Sequence, residues 1–306
     1  MASFKIGLLE FGYRTSVSAP ASILNNIIDS AIKADQLGYH CYWLGEHHRG
    51  SKAWSSPEML IPVLAGMTDK IKIGAAGILL SVHSPYRVAL NFKLLANLFP
   101  KRIDLGLANG IPNIKYARML LCDPELDLSF PKQYRPKVKE LMRFFENDLK
   151  LYTEEDITIP PYNGYRPDIW RLSNSFNSFS DCLEHKMHYS RSLFHGYSGE
   201  EISKEKVVQF KKDYYQKYRI KPRINIVVAG ICEQQQKAAQ RTFDNLKVKG
   251  SEEHMHNCVI GPPQLFEEKC QELSEKFDID EFVFYDMGYE QPKRSKAIEM
   301  IAEKMF

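Results

Sequence analysis

Hydrophobic positions change their spacing repeatedly along the chain, from short runs that suit a strand to a 3.6-residue repeat that suits a helix. Phe4 to Leu9 reads as a first strand, ending in the polar loop 10–18. Pro20 opens a helix whose apolar positions Ile23, Leu24, Ile27, Ile28, Ala31 and Ile32 share one face, and Gly38 is placed to close it in the left-handed conformation. Tyr39 to Leu44 is the second strand. A helix starts at Ser56-Pro57, and Pro62 inside it should kink or shorten it. Ile71 to Leu80 is the third strand, a helix after Pro85 carries Val88, Phe92, Leu95 and Leu98 on one face, and Arg102 to Leu107 is the fourth strand.

From Ala108 to Pro167 the alternation loosens into two helical stretches, the second marked by Val138, Leu141, Met142, Phe145 and Leu149, and then a Pro/Tyr-rich loop at 160–164. Strands return at 168–172, 189–194, 223–230 and 281–285, and a helix from Pro292 ends the chain. Eight strand–helix units suit an α/β fold of the (β/α)8 TIM-barrel type better than an open doubly wound sheet, since no G-x-G-x-x-G follows the first strand. No internal repeat, low-complexity tract or linker interrupts the pattern, so residues 1–306 read as a single domain.

Composition narrows the class only a little. Of the 306 residues, 44% are hydrophobic and 26% charged, as in ordinary globular proteins. The 41 Lys+Arg and 38 Asp+Glu leave a formal +3, which gives no reason to expect nucleic acid as a partner. The longest apolar stretch, 75–80, is far short of the roughly 20 residues of a membrane helix. The N-terminus has no basic region followed by an apolar core, and six cysteines form no C-x-x-C pair. A cytoplasmic protein with reduced thiols is the expectation.

In a barrel of this kind the chemistry sits at the C-terminal ends of the strands. Polar clusters fall there: Glu46-His47-His48, the Ser81 to Ser84 turn with His83, Asn109-Gly110, and the run from Ser173 to Ser178. Adjacent residues continuing a strand point to opposite sides, so at most one of His47 and His48 is expected to face a pocket. The Ser/Asn run offers donors that suit a phosphate at a helix start, or else a plain N-cap. No H-E-x-x-H spacing marks a metal site, no metal is expected, and neither a G-x-S-x-G elbow nor a Walker loop appears. Cys41, inside a strand, reads as core.

Taken in order, several segments together resemble the luciferase-like flavin-dependent monooxygenases. They are Tyr42 to His48 with Ser56-Pro57-Glu58, Ile71 to Leu80 with His83-Ser84-Pro85, and Leu98 to Leu107. Later come Ile169-Trp170 with the Ser/Asn run, Val228 to Cys232, Ile260 to Pro263, and Asp280 to Phe282. The resemblance implies a luciferase-like (β/α)8 barrel that uses reduced FMN and O2 to oxidise a small organic substrate such as a biosynthetic intermediate. A separate flavin reductase would supply the reduced FMN. It also implies His47 as the catalytic histidine beside the flavin, and Ala75, Ala76 and Gly77 as the surface under the ring, with a non-proline cis bond at Ala76-Gly77. Asn174, Ser175 and Ser178 correspond to the phosphate-holding turn. Pairing of barrels through helices near the first strands, as a homodimer or with a homologous chain, is implied as well.

The sequence departs from that pattern after the fourth strand, where Asn109 stands in place of the family's phosphate-contacting Arg. Asn can donate hydrogen bonds but brings no charge; Lys115, Arg118 and Arg171 are the candidates to compensate. Two alternatives follow from the departure: a flavin-free or weakly binding partner subunit, and a deazaflavin-dependent oxidoreductase that transfers hydride. Tyr13-Arg14 and the loop Tyr162 to Tyr165 are candidate substrate contacts.

Overall fold

The computed structural model describes residues 4–13, 19–48, 51–112, 120–121, 130–196, 203–248, 257–288 and 290–306. Its strands are β1 (Lys5–Glu10), β2 (Cys41–Leu44), β3 (Lys72–Leu79), β4 (Ile103–Ala108), β5 (Asp168–Ser173), β6 (His188–Ser192), β7 (Ile224–Cys232), β8 (Val259–Gly261) and β9 (Glu281–Asp286). Each of β1 to β6 pairs in parallel with the next, β6 pairs with β7, β7 with β9, and β9 with β1. The result is a closed ring of eight parallel strands, each at the position the hydrophobic pattern predicts. The three-residue β8 lies outside the ring and pairs only with Gly230 to Cys232 at the end of β7. A side chain at Gly230 would meet the Val259 carbonyl oxygen at 2.0 Å, so this pairing requires a glycine.

Helices α1 (Pro20–Gln36), α2 (Ile61–Gly66), α3 (Pro85–Leu98), α4 (Phe130–Glu146), α5 (Asp148–Glu155), α6 (Phe179–His185), α7 (Lys204–Tyr218), α8 (Gln236–Val248), α9 (Pro263–Phe277) and α10 (Gln291–Met305) join the strands. Pro at the first turn starts α1 and α3, and Gly38, at φ +87°, follows α1 as expected. Pro62 acts as predicted: a 3-10 turn at Pro57–Met59 gives way to a six-residue α2. Two side chains depart from their expected faces. Leu98 is the last residue of α3 and is 58% exposed. Leu149 is 59% exposed because Asn147 accepts a bond from the Lys150 amide and starts a new helix, which breaks the register set by Val138 and Leu141.

Strand alternation sorts side chains into two cores. Ile6, Leu8, Ile73, Leu105, Ile226 and Phe282 face the helices, while Leu9, Trp43, Ala76, Trp170, Val227 and Tyr285 face the barrel axis. Burying each such aliphatic or aromatic side chain contributes about 1.5–3 kcal/mol. The N-terminal end of the barrel is closed by charge. Arg223 bonds Glu281 at 2.6 Å, Lys72 bonds Asp168 at 2.8 Å, and the Trp43 indole donates to the fully buried Asp104 at 2.9 Å. Burial in this plug, with Arg223 nearby, pushes His40 down to about 4, and burial pushes His188 to about 4 as well. Above this charged plug, a cavity lies toward the strand C-termini. None of the helices among the described residues is long and apolar enough to cross a membrane.

Candidate active site

A cavity of about 640 Å³ opens at the C-terminal ends of the strands. The sequence shapes it first through glycine: a side chain at Gly45, just after β2, would meet the Phe11 ring at 2.1 Å. Phe11 therefore reaches across to touch His47 edge-on, with ring centroids 4.7 Å apart. On the other side, side chains at Gly77 and Gly106 would collide with Leu172 and with the Ala75 carbonyl. Close packing of β3, β4 and β5 thus demands small residues there, and the same choice leaves a low ledge at Ala76 and Gly77 facing the cavity. The Ala76–Gly77 peptide is cis.

Glu46, His47 and His48 all line the cavity. The expectation that at most one histidine faces it gives way because β2 ends at Leu44, so the pleat no longer dictates alternate sides. Glu46 is the hub. Its Oε1 receives His48 Nε2 at 2.7 Å and His83 Nε2 at 2.8 Å, and its Oε2 accepts the Leu79 amide at 2.9 Å. Burial alone would raise this carboxyl, but the bonds from His48, His83 and Leu79 outweigh it and hold Glu46 at about 2. Burial likewise opposes charge on His83, yet the hydrogen bond and the charge of Glu46 raise its pKa above the ordinary imidazole value. The Ser55 hydroxyl donates to the His47 carbonyl at 3.1 Å and fixes that loop.

The opposite arc comes from β4, β5 and β6. Asn109 lines it, and its Oδ1 accepts from Ser81 Oγ at 3.3 Å. Arg171 also lines it, but the guanidinium is committed: Nε lies 3.4 Å from Asp181 Oδ2, NH1 donates to the Leu172 carbonyl, and the group stacks 4.6 Å from the Tyr134 ring. Asn174 lines the cavity and donates to the Gly196 carbonyl at 3.3 Å, tying the loop after β5 to the loop after β6. Ser190, Ser192 and His195 complete this side. Sequence reading missed these three. The signal was the small polar residue at every second position of β6, which strand parity turns toward the axis.

The structure thus brings His47, Ala76, Gly77, Asn109 and Asn174 to one cavity and leaves three candidates elsewhere. Ala75 lies in the core between barrel and helices. Ser175 is buried with its Oγ accepting the Asn177 amide, and Ser178 sits at the N-cap of α6 with no side-chain capping bond; neither lines the cavity. Tyr13 stacks with Tyr285 behind the aromatic wall and accepts its hydroxyl proton at 2.8 Å. Tyr165 is held by Asn97 on the outer side of the barrel, away from the cavity. Arg14, Lys115 and Arg118 lie outside the described residues.

A closed parallel barrel with one polar and one aromatic arc around a cavity at its strand ends defines an α/β barrel whose cavity has the size of a small-molecule pocket. Residues 8–145 match the family described as luciferase-like monooxygenase. It is 35% identical over 161 residues to the N-acetyl-S-alkylcysteine monooxygenase of Bacillus subtilis (strain 168), covering 52% of this chain and 47% of that protein. The chain spans about half the length of the curated relatives it matches. Among solved structures, apo-MsnO8 superposes with a TM-score of 0.78 at 23% identity over 98% of both chains. The oxygenating constituent of 3,6-diketocamphane monooxygenase from Pseudomonas putida, solved in complex with FMN, superposes at 0.70 with 16% identity over 99% of this chain and 97% of that one.

Proposed function

We propose that this chain is a flavin-dependent monooxygenase that oxidises a small organic substrate with reduced FMN and O2. The observation that carries the reading is the cavity itself. A ledge without bulky side chains at Ala76 and Gly77 suits a flat ring, and beside it Asn109, Ser173 and Asn174 offer uncharged donors that suit the polar end of a mononucleotide. A volume of about 640 Å³ falls within the range of cofactor and ligand pockets. Bound reduced FMN would supply the electrons for O2 activation. The protein's part is to orient, to keep the site dry and to move protons. Leu9, Phe11, Phe194 and Val227 exclude water from one side. His47, edge-on to Phe11 and lining the same cavity as the ledge, is the candidate proton donor or acceptor of this reading. His48 is better oriented as a base: Glu46 engages its Nε2, which leaves Nδ1 to accept a proton and places a carboxylate where the resulting cation needs it.

A second reading has its own support. Arg171 is engaged by Asp181, and Asn109 brings no charge, so the polar arc offers a phosphate little beyond neutral donors. A flavin-free or weakly binding member, acting as the partner of a homologous chain, fits that arrangement. Anaerobic titration of the protein with reduced FMN and with deazaflavin decides the matter: saturable binding in the micromolar range is expected for FMN, and binding of neither compound overturns the enzymatic reading.

The assembly we infer is a pair of barrels. Met59, Val63 and Met67 around α2, and Leu94 and Leu98 on α3, are all at least 43% exposed. Apolar side chains left open on the helices that precede and follow β3 suit coverage by a second chain.

A further inference from the structure

Ser192 Oγ lies 2.6 Å from His195 Nδ1, and both residues line the cavity on the side facing Phe11 and His47. Their surroundings are aromatic. Phe194 packs against the His195 ring at 4.3 Å and against Tyr285 at 5.3 Å, and Tyr285 meets Phe11 at 4.8 Å. We propose that this side of the cavity recognises an uncharged substrate through a hydrogen-bond-accepting oxygen, with His195 Nε2–H as the donor and Ser192 as the residue that fixes the imidazole. The proposal rests on the cavity being the substrate site of the reading above, and it names the chemical class that site takes.

Three observations lead there. The first is geometry: a Ser192 hydroxyl that donates to Nδ1 leaves the imidazole proton on Nε2, and Nε2 makes no hydrogen bond among the described residues. The second is charge. Of the Asp, Glu, Lys and Arg side chains among the described residues, only Glu46 and Arg171 line the cavity, and each is already engaged, Glu46 by two imidazoles and an amide, Arg171 by Asp181 and a carbonyl. An ionised substrate would give up its water here and find no free Lys, Arg, Asp or Glu among the described residues. The third is protonation. Burial lowers the pKa of His195, which keeps its imidazole neutral, a donor suited to a neutral oxygen rather than a cation suited to a carboxylate.

The test uses three probes of similar size, acetophenone, ethylbenzene and benzoate, titrated into the full chain by ligand-observed NMR. Acetophenone should bind about 10-fold more tightly than ethylbenzene, the worth of one hydrogen bond to an apolar-walled site, and benzoate should bind most weakly. His195→Phe should bring the acetophenone-to-ethylbenzene ratio to about 1, whereas His195→Gln, which keeps a donor, should preserve part of it. The 15N shifts of His195 should report the Nε2-protonated tautomer, and Ser192→Ala should disturb that signal along with the ratio. Equal affinities in the wild type, an undiminished ratio in His195→Phe, benzoate as the tightest probe, or an Nδ1-protonated imidazole would each overturn the assignment. Should flavin titration fail while acetophenone selectivity persists, only the cofactor reading falls; flavin binding without that selectivity removes only this one.

Discussion

Glu46 Oε1 and His83 Nε2 stand 2.8 Å apart, although the two residues lie on different βα loops. That contact joins the segment after β2 to the turn after β3, and with His48 on the same oxygen it makes one carboxylate responsible for the shape of the cavity's edge.

Glu46→Gln should therefore cost stability in a pH-dependent way. His83 has a raised folded pKa, so its contribution is fully present below the unfolded value of 6.5 and is lost as pH rises through the folded value. Glu46, held at about 2, contributes above its unfolded value of 4.5 and loses that contribution as pH falls toward 2. The two statements describe one interaction, strongest between about pH 4.5 and 6.5. Urea unfolding at pH 5.5 should show a loss of about 2 kcal/mol in Glu46→Gln, and the difference from wild type should shrink at pH 9. Equal differences at both pH values would mean that the pair carries no charge.

The two adjacent histidines separate in the same logic. His48→Asn removes the base of the proposed reaction and should lower kcat about 100-fold with little change in flavin affinity. His47→Ala should also reduce turnover, by removing the group packed on Phe11, while folding and flavin affinity stay close to wild type. Steady-state kinetics beside flavin titration checks both, and a His47→Ala variant with unchanged turnover would remove His47 from the chemistry.

The fold was legible because barrel strands are buried on both sides and stand out as apolar runs; all eight were readable, from Phe4-Lys5-Ile6 to Phe282-Val283-Phe284. The short β8 was not, since three residues ending in Gly261 carry no period. At the site, residues directly after a strand could be placed: His47, Asn109 and Asn174 reach the cavity. What sequence could not supply was the path of each loop beyond the strand. The pleat rule misjudged His47 and His48 because it stops at Leu44, and nothing local joins Glu46 to His83 or Ser192 to His195. Ser175 shows the converse: its hydroxyl accepts the Asn177 amide within its own loop, and neither it nor Ser178 lines the cavity that Ser173 and Asn174 reach.

The exposed apolar residues on α2 and α3 bear on assembly. Met67 is 52% exposed and Leu98 58%, so a charge at either position costs an isolated barrel little. Met67→Glu combined with Leu98→Glu should convert a dimer to a monomer in analytical ultracentrifugation with the melting temperature of the barrel nearly unchanged. A wild-type chain that sediments as a monomer would remove the pairing, and a double variant that still dimerises would move the interface elsewhere.

Asn109 offers the sharpest question about the cofactor. Its Oδ1 is held by Ser81, it sits on the cavity's polar arc, and the neighbouring Arg171 is tied to Asp181. Placing a guanidinium at this position should strengthen the hold on a phosphate, since charge-assisted bonds are roughly twice as strong as neutral ones. Asn109→Arg is therefore expected to tighten FMN about 10-fold and to leave riboflavin, which lacks the phosphate, within about 2-fold of wild type. Fluorescence titration of the two flavins against both proteins reads the difference directly. If FMN and riboflavin tighten together, the new side chain acts on the ring or on the fold, and if neither changes, the phosphate lies away from Asn109.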